Sequence, residues 1–312
     1  MLLWDKYTKE REVMKDIMII VNPSSGRKKA EYYAEKMKKT FQKHNRNVAI
    51  KRTEVKEDIS KFAEAAGAKK YKTLIVIGGD GTVSEAVNGL SNLKYRPTLG
   101  IIPAGTVNNI AKSINIPANP LEAIDQMVHF HEKKIDVGRI NNRIFLSSVS
   151  AGPVPETVWE VSDEKKEKFG QAAYFMEGIK SLRDEKTYDV ELTIDGKQFD
   201  IDLNLILVGV NSSIAGIPNF FNGAELDDGQ LYLFGMKRST IGQKLTVLQA
   251  LLFSNEEFND TQDIAFTVPF KKAVLTIKNK KTFTTVDGDQ GPEFPIILEV
   301  LPQRFTFLVS NE

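Results

Sequence analysis

The chain is 312 residues long, enough for two domains with separate cores. Its 41% hydrophobic and 27% charged residues are those of a soluble globular fold, and a net charge of +1 gives no field for nucleic acid. Cysteine is absent, which excludes disulfides, zinc–thiolate centres and cysteine nucleophiles and suits a reducing compartment.

Residues 1–15 lack the basic region and long apolar core of a signal peptide. Leu2, Leu3, Trp4 and Tyr7 are expected to pack on the body or fray as an N-terminal extension. The longest apolar run, residues 203–210, has strand length and falls far short of the roughly 20 residues a membrane helix needs. The expected location is cytoplasmic, with any membrane contact peripheral.

From residue 16 to about 137, strands and helices alternate. Residues 16–21 (DIMIIV) read as a strand that runs into Asn22, Pro23, Ser24, Ser25 and Gly26. Ala30, Tyr33, Ala34, Met37 and Phe41 then form one apolar helical stripe. A second strand (residues 47–53) precedes a helix marked by Ile59, Phe62, Ala63 and Ala66, which Gly67 can close in a left-handed conformation. A third strand (73–77) meets Gly78, Gly79, Asp80, Gly81 and Thr82, and Val83, Ala86, Val87 and Leu90 stripe its helix. A fourth strand (98–102) leads into Pro103, Ala104, Gly105 and Thr106 and the pattern Val107, Ile110, Ala111. Asn119 and Pro120 read as N-cap and first-turn residues of a helix from 121 to about 131.

Such alternation implies a mainly parallel sheet covered by helices, with ligands beyond the carboxyl ends of its strands. Three strands end there in loops rich in Gly, Ser, Thr and Asn, at residues 22–26, 78–84 and 103–108.

After the hinge, expected near residues 136–144, the pattern becomes antiparallel. Tyr188, Val190, Leu192 and Ile194 alternate on one strand and Phe199, Ile201, Leu203, Leu205 and Leu207 on the next, with Asp195-Gly196 as the hairpin turn. Further strands are AVLTI, FTTV and PIILEV, and only residues 170–184 and 241–253 look helical. This is a β-sandwich-like second domain spanning 138–302. The segment 303–312 has the option of returning to the first domain, which spans 16–137. No repeat or low-complexity linker interrupts the chain.

Glycines without Cβ let backbone N–H groups approach an anion, and the following helix directs its positive end there. Each loop could also be a simple capped turn, with Asp80 as N-cap and Ser24 and Thr106 as capping hydroxyls. Three such turns on adjacent strand ends point to a nucleotide. Asp80 would repel phosphate, so it either holds Mg²⁺, directly or through water, or orients the loop. Neither a P-loop signature nor an early G-x-G-x-x-G is present. His129 and His131 do not share a helix face. The lysine-rich residues 163–170 read as a solvated surface or a basic membrane-facing edge, and Phe220-Phe221 as core.

The stretches NPSSG, IGGDGTVSEAVNGL and GIIPAGTVNNIA, in this order and spacing, resemble the bacterial diacylglycerol-kinase-like lipid kinases. Their catalytic domain is shared with sphingosine kinases and, more distantly, NAD kinases. ELDDGQLYL (225–233) and VDGDQ (286–290) extend the resemblance over nearly the whole chain. GGDGT alone also occurs in NAD kinases and phosphofructokinases.

The resemblance implies that ATP binds between an α/β domain and a β-sandwich domain. Its lining would be Asn22, Pro23, Ser24, Ser25, Gly26, Thr53, Gly78, Gly79, Asp80, Gly81, Thr82, Ser84, Thr106 and Asn108, with Asp80 near the phosphates and Mg²⁺. It also implies a structural magnesium held by the Asp228 side chain and the carbonyls of Glu225 and Gln230, where the residues alone read as a plain β-turn. The family's DGE element here reads Asp287-Gly288-Asp289, and Asp287 or Asp289 would take the proton of the lipid hydroxyl; the plain reading is a hairpin turn with exposed carboxylates. Asn109, where many relatives have Asp, and Ser84, where Asn is common, are two further departures.

The expected activity is an ATP- and Mg²⁺-dependent lipid kinase acting on diacylglycerol or a related lipid at a membrane surface, with a homodimer compatible. Replacing Asp80 or Asp287 by alanine should abolish transfer and leave the fold intact. An NAD-kinase-like enzyme and a non-catalytic nucleotide-binding protein are the alternatives.

Overall fold

The computed structural model describes residues 16–151, 187–214, 219–250 and 263–310, apart from residues 24, 241, 245, 248, 249, 279 and 280. The N-terminal extension, Ser24, the basic stretch 163–170 and the predicted helix 170–184 lie outside the described residues.

The first half builds β1 (Ile17–Val21), α1 (Ser25–Lys28), α2 (Ala30–Lys43), β2 (Val48–Arg52), α3 (Glu57–Ala68), β3 (Thr73–Gly78), α4 (Asp80–Leu90), β4 (Thr98–Pro103), α5 (Asn109–Ser113) and α6 (Pro120–Gln126). Strands β2, β1, β3 and β4 lie side by side and parallel, with Ile17 opposite both Val48 and Thr73 and Thr73 opposite Thr98. β1 is buried along its whole length, as a central strand covered on both faces must be. The α2 stripe is buried as its spacing predicts: Ala30, Tyr33, Ala34, Met37 and Phe41.

Two local expectations change. Gly67 is an interior residue of α3, and the left-handed position after that helix is Lys70 (φ 54°). Gly67 is glycine for space: a Cβ there would lie 2.4 Å from Leu93 Cδ1, where the α4–β4 connection crosses α3. Asn119 does cap α6, accepting the Leu121 N–H at 3.0 Å, but the helix ends in a 3₁₀ turn, Met127–His129. His131 already begins strand β5 (His131–Ile140), so the two histidines lie on different elements.

The second half contains β6 (Arg143–Phe145), β7 (Ser148–Ala151), β8 (Tyr188–Ile194), β9 (Lys197–Leu203), β10 (Leu205–Gly209), β11 (Leu231–Met236), β12 (Ala265–Phe270), β13 (Lys272–Ile277), β14 (Phe283–Val286), β15 (Asp289–Glu293) and β16 (Ile296–Val309). β16 is the seam of the molecule. Its first residues pair antiparallel with β13, and Phe307 pairs parallel with Leu99 of β4, so one ten-stranded sheet runs from β2 to β9. β5 pairs antiparallel along β16, from His131 opposite Val309 to Ile140 opposite Leu298. The predicted hinge region is thus occupied by paired strands.

A second, antiparallel sheet has the order β12-β11-β10-β7-β14-β15. β8 alternates buried and half-buried residues, and Asp195 (φ 47°) and Gly196 (φ 84°) make the hairpin turn to β9. The run 203–210 divides at Asn204, where the chain leaves the first sheet for the second; the Asn204 N–H donates to Met236 O at 2.8 Å. Phe199 is 48% exposed because β9 is an edge strand. Val190, Leu192, Val208, Leu233 and Leu298 fill the space between the sheets. On the outer face of the second sheet, Phe220 and Phe221 are core residues packed edge to face, 5.0 Å apart. No helix among the described residues is long and apolar enough to cross a membrane.

Candidate active site

The three predicted loops meet because β1, β3 and β4 are parallel neighbours. The Gly26 N–H donates to Ala104 O at 2.7 Å and the Ala104 N–H to Gly78 O at 2.9 Å, tying first loop to third and third to second. Gly79 and Gly105 touch back to back: a Cβ on Gly105 would lie 2.5 Å from Gly79 Cα. Asn108, in the left-handed region at φ 55°, folds its amide onto Gly105, accepting from its N–H at 2.9 Å and donating to its carbonyl at 2.8 Å. At the end of β2, buried Thr53 donates its N–H to Val21 O at 3.1 Å.

Asp80 is the first residue of α4, whose N-cap is Gly79, so it does not cap its own helix. Its carboxylate crosses to the third loop and accepts from the N–H groups of Asn109 (3.0 Å) and Ile110 (2.9 Å), capping α5. Burial pushes its carboxyl above the usual carboxylate range, against the downward pull of those two hydrogen bonds. Each oxygen retains a lone pair. The N-terminus of α4 carries no side-chain cap, leaving its positive end facing the loop cluster.

The β14–β15 hairpin brings Asp287 and Asp289 to the same place by different routes. Asp287 (φ 49°) and Gly288 (φ 92°) form the turn, as expected of Asp-Gly. The Asp287 carboxylate, however, points inward. It accepts from Leu146 N (2.9 Å), Ser147 N (2.8 Å), Ser148 N (3.1 Å) and the Ser84 hydroxyl (3.1 Å). The expectation of two exposed carboxylates is corrected for Asp287: three consecutive N–H groups entering β7 need an acceptor, and a carboxylate supplies it. Burial raises its carboxyl, with the four hydrogen bonds opposing. Asn88 adds a second clamp, accepting from Ile144 N at 2.9 Å and donating to Ile144 O at 3.0 Å. Together, Ser84 and Asn88 fix α4 to the start of the second half.

Asp289 remains half-exposed at the rim of a cavity of about 360 Å³ lined by Asn22, Thr53, Glu54, Val55, Lys56, Ile59, Gly81 and Thr82. Its Oδ2 lies 2.8 Å from Lys56 Nζ and 3.6 Å from Arg143. A Cβ built on Gly81 would be 4.0 Å from that same oxygen, so the carboxylate hangs over the glycine loop. Sequence reasoning passed over Lys56 and Arg143. A cation at the N-cap of a helix, as Lys56 is for α3, was the available signal.

Of the predicted lining, Asn22, Thr53, Gly81 and Thr82 border this cavity. Gly26, Gly78, Gly79 and Asn108 build the loops behind it, Ser84 serves Asp287, Pro23 and Thr106 are exposed, and Ser25 opens α1. Ser24 lies outside the described residues.

Glu225, Asp228 and Gln230 belong to a separate turn. Asp228 accepts from Glu225 N (2.9 Å), Gln230 N (2.9 Å) and the Tyr232 hydroxyl (2.8 Å). Burial first, and then the latter bond, push the Tyr232 hydroxyl well up. Among the described residues, no three His, Asp or Glu side chains converge on a metal position. Any cation here would rest on Asp228 and backbone carbonyls. Asp228 Oδ1, with one N–H bond, retains a lone pair. The surroundings are acidic: buried Asp136, which accepts from Gly229 N and Gln303 N, is pushed up by burial and then by Asp228 and Asp227, with Lys133 at 3.3 Å from Asp227. A loosely held divalent cation fits that donor set.

Comparison with known proteins agrees with this fold. Residues 16–140 match the diacylglycerol kinase catalytic domain, and residues 147–309 match the YegS C-terminal NAD kinase beta sandwich-like domain. A diacylglycerol kinase of Bacillus subtilis is 31% identical over 283 residues, covering 90% of this chain and 92% of that protein. One from Staphylococcus aureus (strain MRSA252) is 30% identical over 298 residues, with coverages of 94% and 92%. The crystal structure of a diacylglycerol kinase from Bacillus anthracis superposes with a TM-score of 0.76 at 29% identity, over 95% of this chain and 97% of that chain. An α/β domain with a parallel sheet, an antiparallel sandwich and a carboxylate hairpin over glycine loops define a two-domain kinase fold. The chain belongs to the diacylglycerol kinase family of lipid kinases.

Proposed function

We propose that the protein transfers the γ-phosphoryl group of ATP to the hydroxyl of a lipid, diacylglycerol or a close relative. The observation that carries this reading is the Asp289 carboxylate held over Gly81 at the rim of the loop-lined cavity. It is where an acceptor hydroxyl would have to stand to attack a phosphate cradled by Gly78–Thr82. The hydroxyl proton passes to Asp289 as the new O–P bond forms. The bond from Pγ to the β–γ bridging oxygen breaks, and its electron pair leaves with ADP. Asp289 is favoured over Asp287 as the base because all four donors already occupy Asp287. The shorter Asp in place of Glu is compatible with this role, since the hairpin already brings the carboxylate over the loop.

Asp80 keeps the third loop in register with the second, and Mg²⁺ on the phosphates would supply charge neutralisation beside Asp80 and Asp289. The acceptor enters from the sandwich side by peripheral contact with a membrane. On this reading the domains divide at residues 137/138, the end of β16 belongs with the α/β half, and the nucleotide would lie between the two.

The test is labelled ATP and Mg²⁺ with diacylglycerol, phosphatidylglycerol or sphingosine in mixed micelles, and with NAD in buffer. Label in a lipid is expected. Label in NAD alone supports the NAD-kinase alternative, and label in no acceptor despite ATP binding supports the non-catalytic one.

A further inference from the structure

We infer that Lys56 is a phosphate-binding residue of this site, and that Asp289 and the polyphosphate are alternative partners for its ammonium. The inference rests on the nucleotide reading above and adds to it a residue for which no role has been given. Lys56 belongs to the α/β half and Asp289 to the sandwich, and their 2.8 Å contact spans the mouth of the cavity that Lys56 itself helps to line. Glu85 on α4 lies further off, 3.8 Å from the same Nζ. Arg143 approaches the same Asp289 oxygen at 3.6 Å, and its buried NH2 group makes no hydrogen bond.

The placement is electrostatically costly for a lysine whose work is structural. Lys56 occupies the N-cap of α3 and lines the cavity together with Gly81 and Thr82 of the first turn of α4, so the positive ends of two helices border the same cavity. Asp58, in the first turn of α3, directs its carboxylate to the N–H groups of Glu54 and Val55. What offsets the repulsion is Asp289, whose hydrogen bond is the main reason the Lys56 ammonium holds its proton more tightly than usual.

The side chains of this pair are 57% and 37% exposed, and ion pairs that exposed contribute little to stability. A polyphosphate seated over Gly81 and Thr82 would bring several negative charges within reach of the same ammonium. Two helix ends would then favour it as well. Transfer of Lys56 to phosphate would leave Asp289 a free lone pair for the acceptor hydroxyl.

The experiment is calorimetric titration of wild type, Lys56→Gln and Lys56→Arg with ATP, ADP and adenosine, without lipid. Lys56→Gln should bind ATP and ADP about tenfold more weakly, with adenosine unchanged. Lys56→Arg should recover most of the loss. A Lys56→Gln protein that binds ATP like wild type overturns the inference, as does an equal loss for adenosine, which would mark a structural role. Wild type that binds none of the three overturns the nucleotide reading itself. Repeating the titration in Asp289→Asn gives an independent check: the cost of Lys56→Gln for ATP should grow, because Asp289 no longer competes. An unchanged cost counts against exchange between partners.

Discussion

Replacing Asp287 by alanine removes one acceptor shared by four donors, and the expected cost follows from that count. The donors are Leu146, Ser147 and Ser148 N–H and the Ser84 hydroxyl. The Ser84 hydroxyl can turn to another acceptor, whereas three backbone N–H groups at the entry to β7 cannot. At about 1–3 kcal/mol for each buried donor left unpaired, and with water recovering part of it, the loss should be about 3–5 kcal/mol. For a protein of this size that is a fall in melting temperature of roughly 5–8 °C. Asp287→Asn should lose only about 1–2 kcal/mol, because its amide oxygen still serves Ser147 and Ser148. The earlier expectation that alanine here would leave the fold intact is therefore revised. Thermal melting of the two variants measures the difference. Because the folded-state carboxyl is raised, Asp287 favours folding most below pH ~4, and that contribution is lost as pH rises through its folded value. Wild type should consequently lose stability relative to Asp287→Asn between acid and neutral pH. An alanine variant melting within a degree or two of wild type, with parallel pH profiles, would refute the clasp.

Asp289→Asn should lower phosphate transfer by about 10²–10⁴-fold with melting close to wild type, measured with labelled ATP and micellar diacylglycerol. Asp80→Ala removes the acceptor for Asn109 and Ile110 N–H and should cost about 1–2 kcal/mol of stability as well as activity. Melting and turnover should both fall; loss of turnover alone would restrict Asp80 to the phosphates. Gly105→Ala drives a methyl group to 2.5 Å from Gly79 Cα, so the loops must separate, at about 1–3 kcal/mol, and ATP binding should disappear in calorimetry.

Much of this molecule is written in short-range pattern. The stripe Ala30, Tyr33, Ala34, Met37, Phe41 and the alternation of β8 determine helix and strand because burial on one face has a fixed period. The three glycine loops followed as a cluster, since strands in a parallel sheet all end on the same side. Asp195-Gly196 and Asp287-Gly288 were legible as turns because both positions need φ > 0. The direction of a side chain is not written in this way. That Asp80 serves α5, that Asp287 faces inward and that Asp289 faces the cavity depend on which groups arrive from elsewhere. Ser84 meets Asp287 across 203 residues of chain, and Lys56 meets Asp289 across 233. The same holds for β16, whose 14 residues join both halves into one sheet only because β4, β5 and β13 present their free edges to it. Sequence by itself determined the elements and the loops. The tertiary structure alone decided which of two neighbouring carboxylates, Asp287, is an anchor and which, Asp289, reaches the cavity rim, because buried N–H groups must be paired and only the assembled fold shows where they lie.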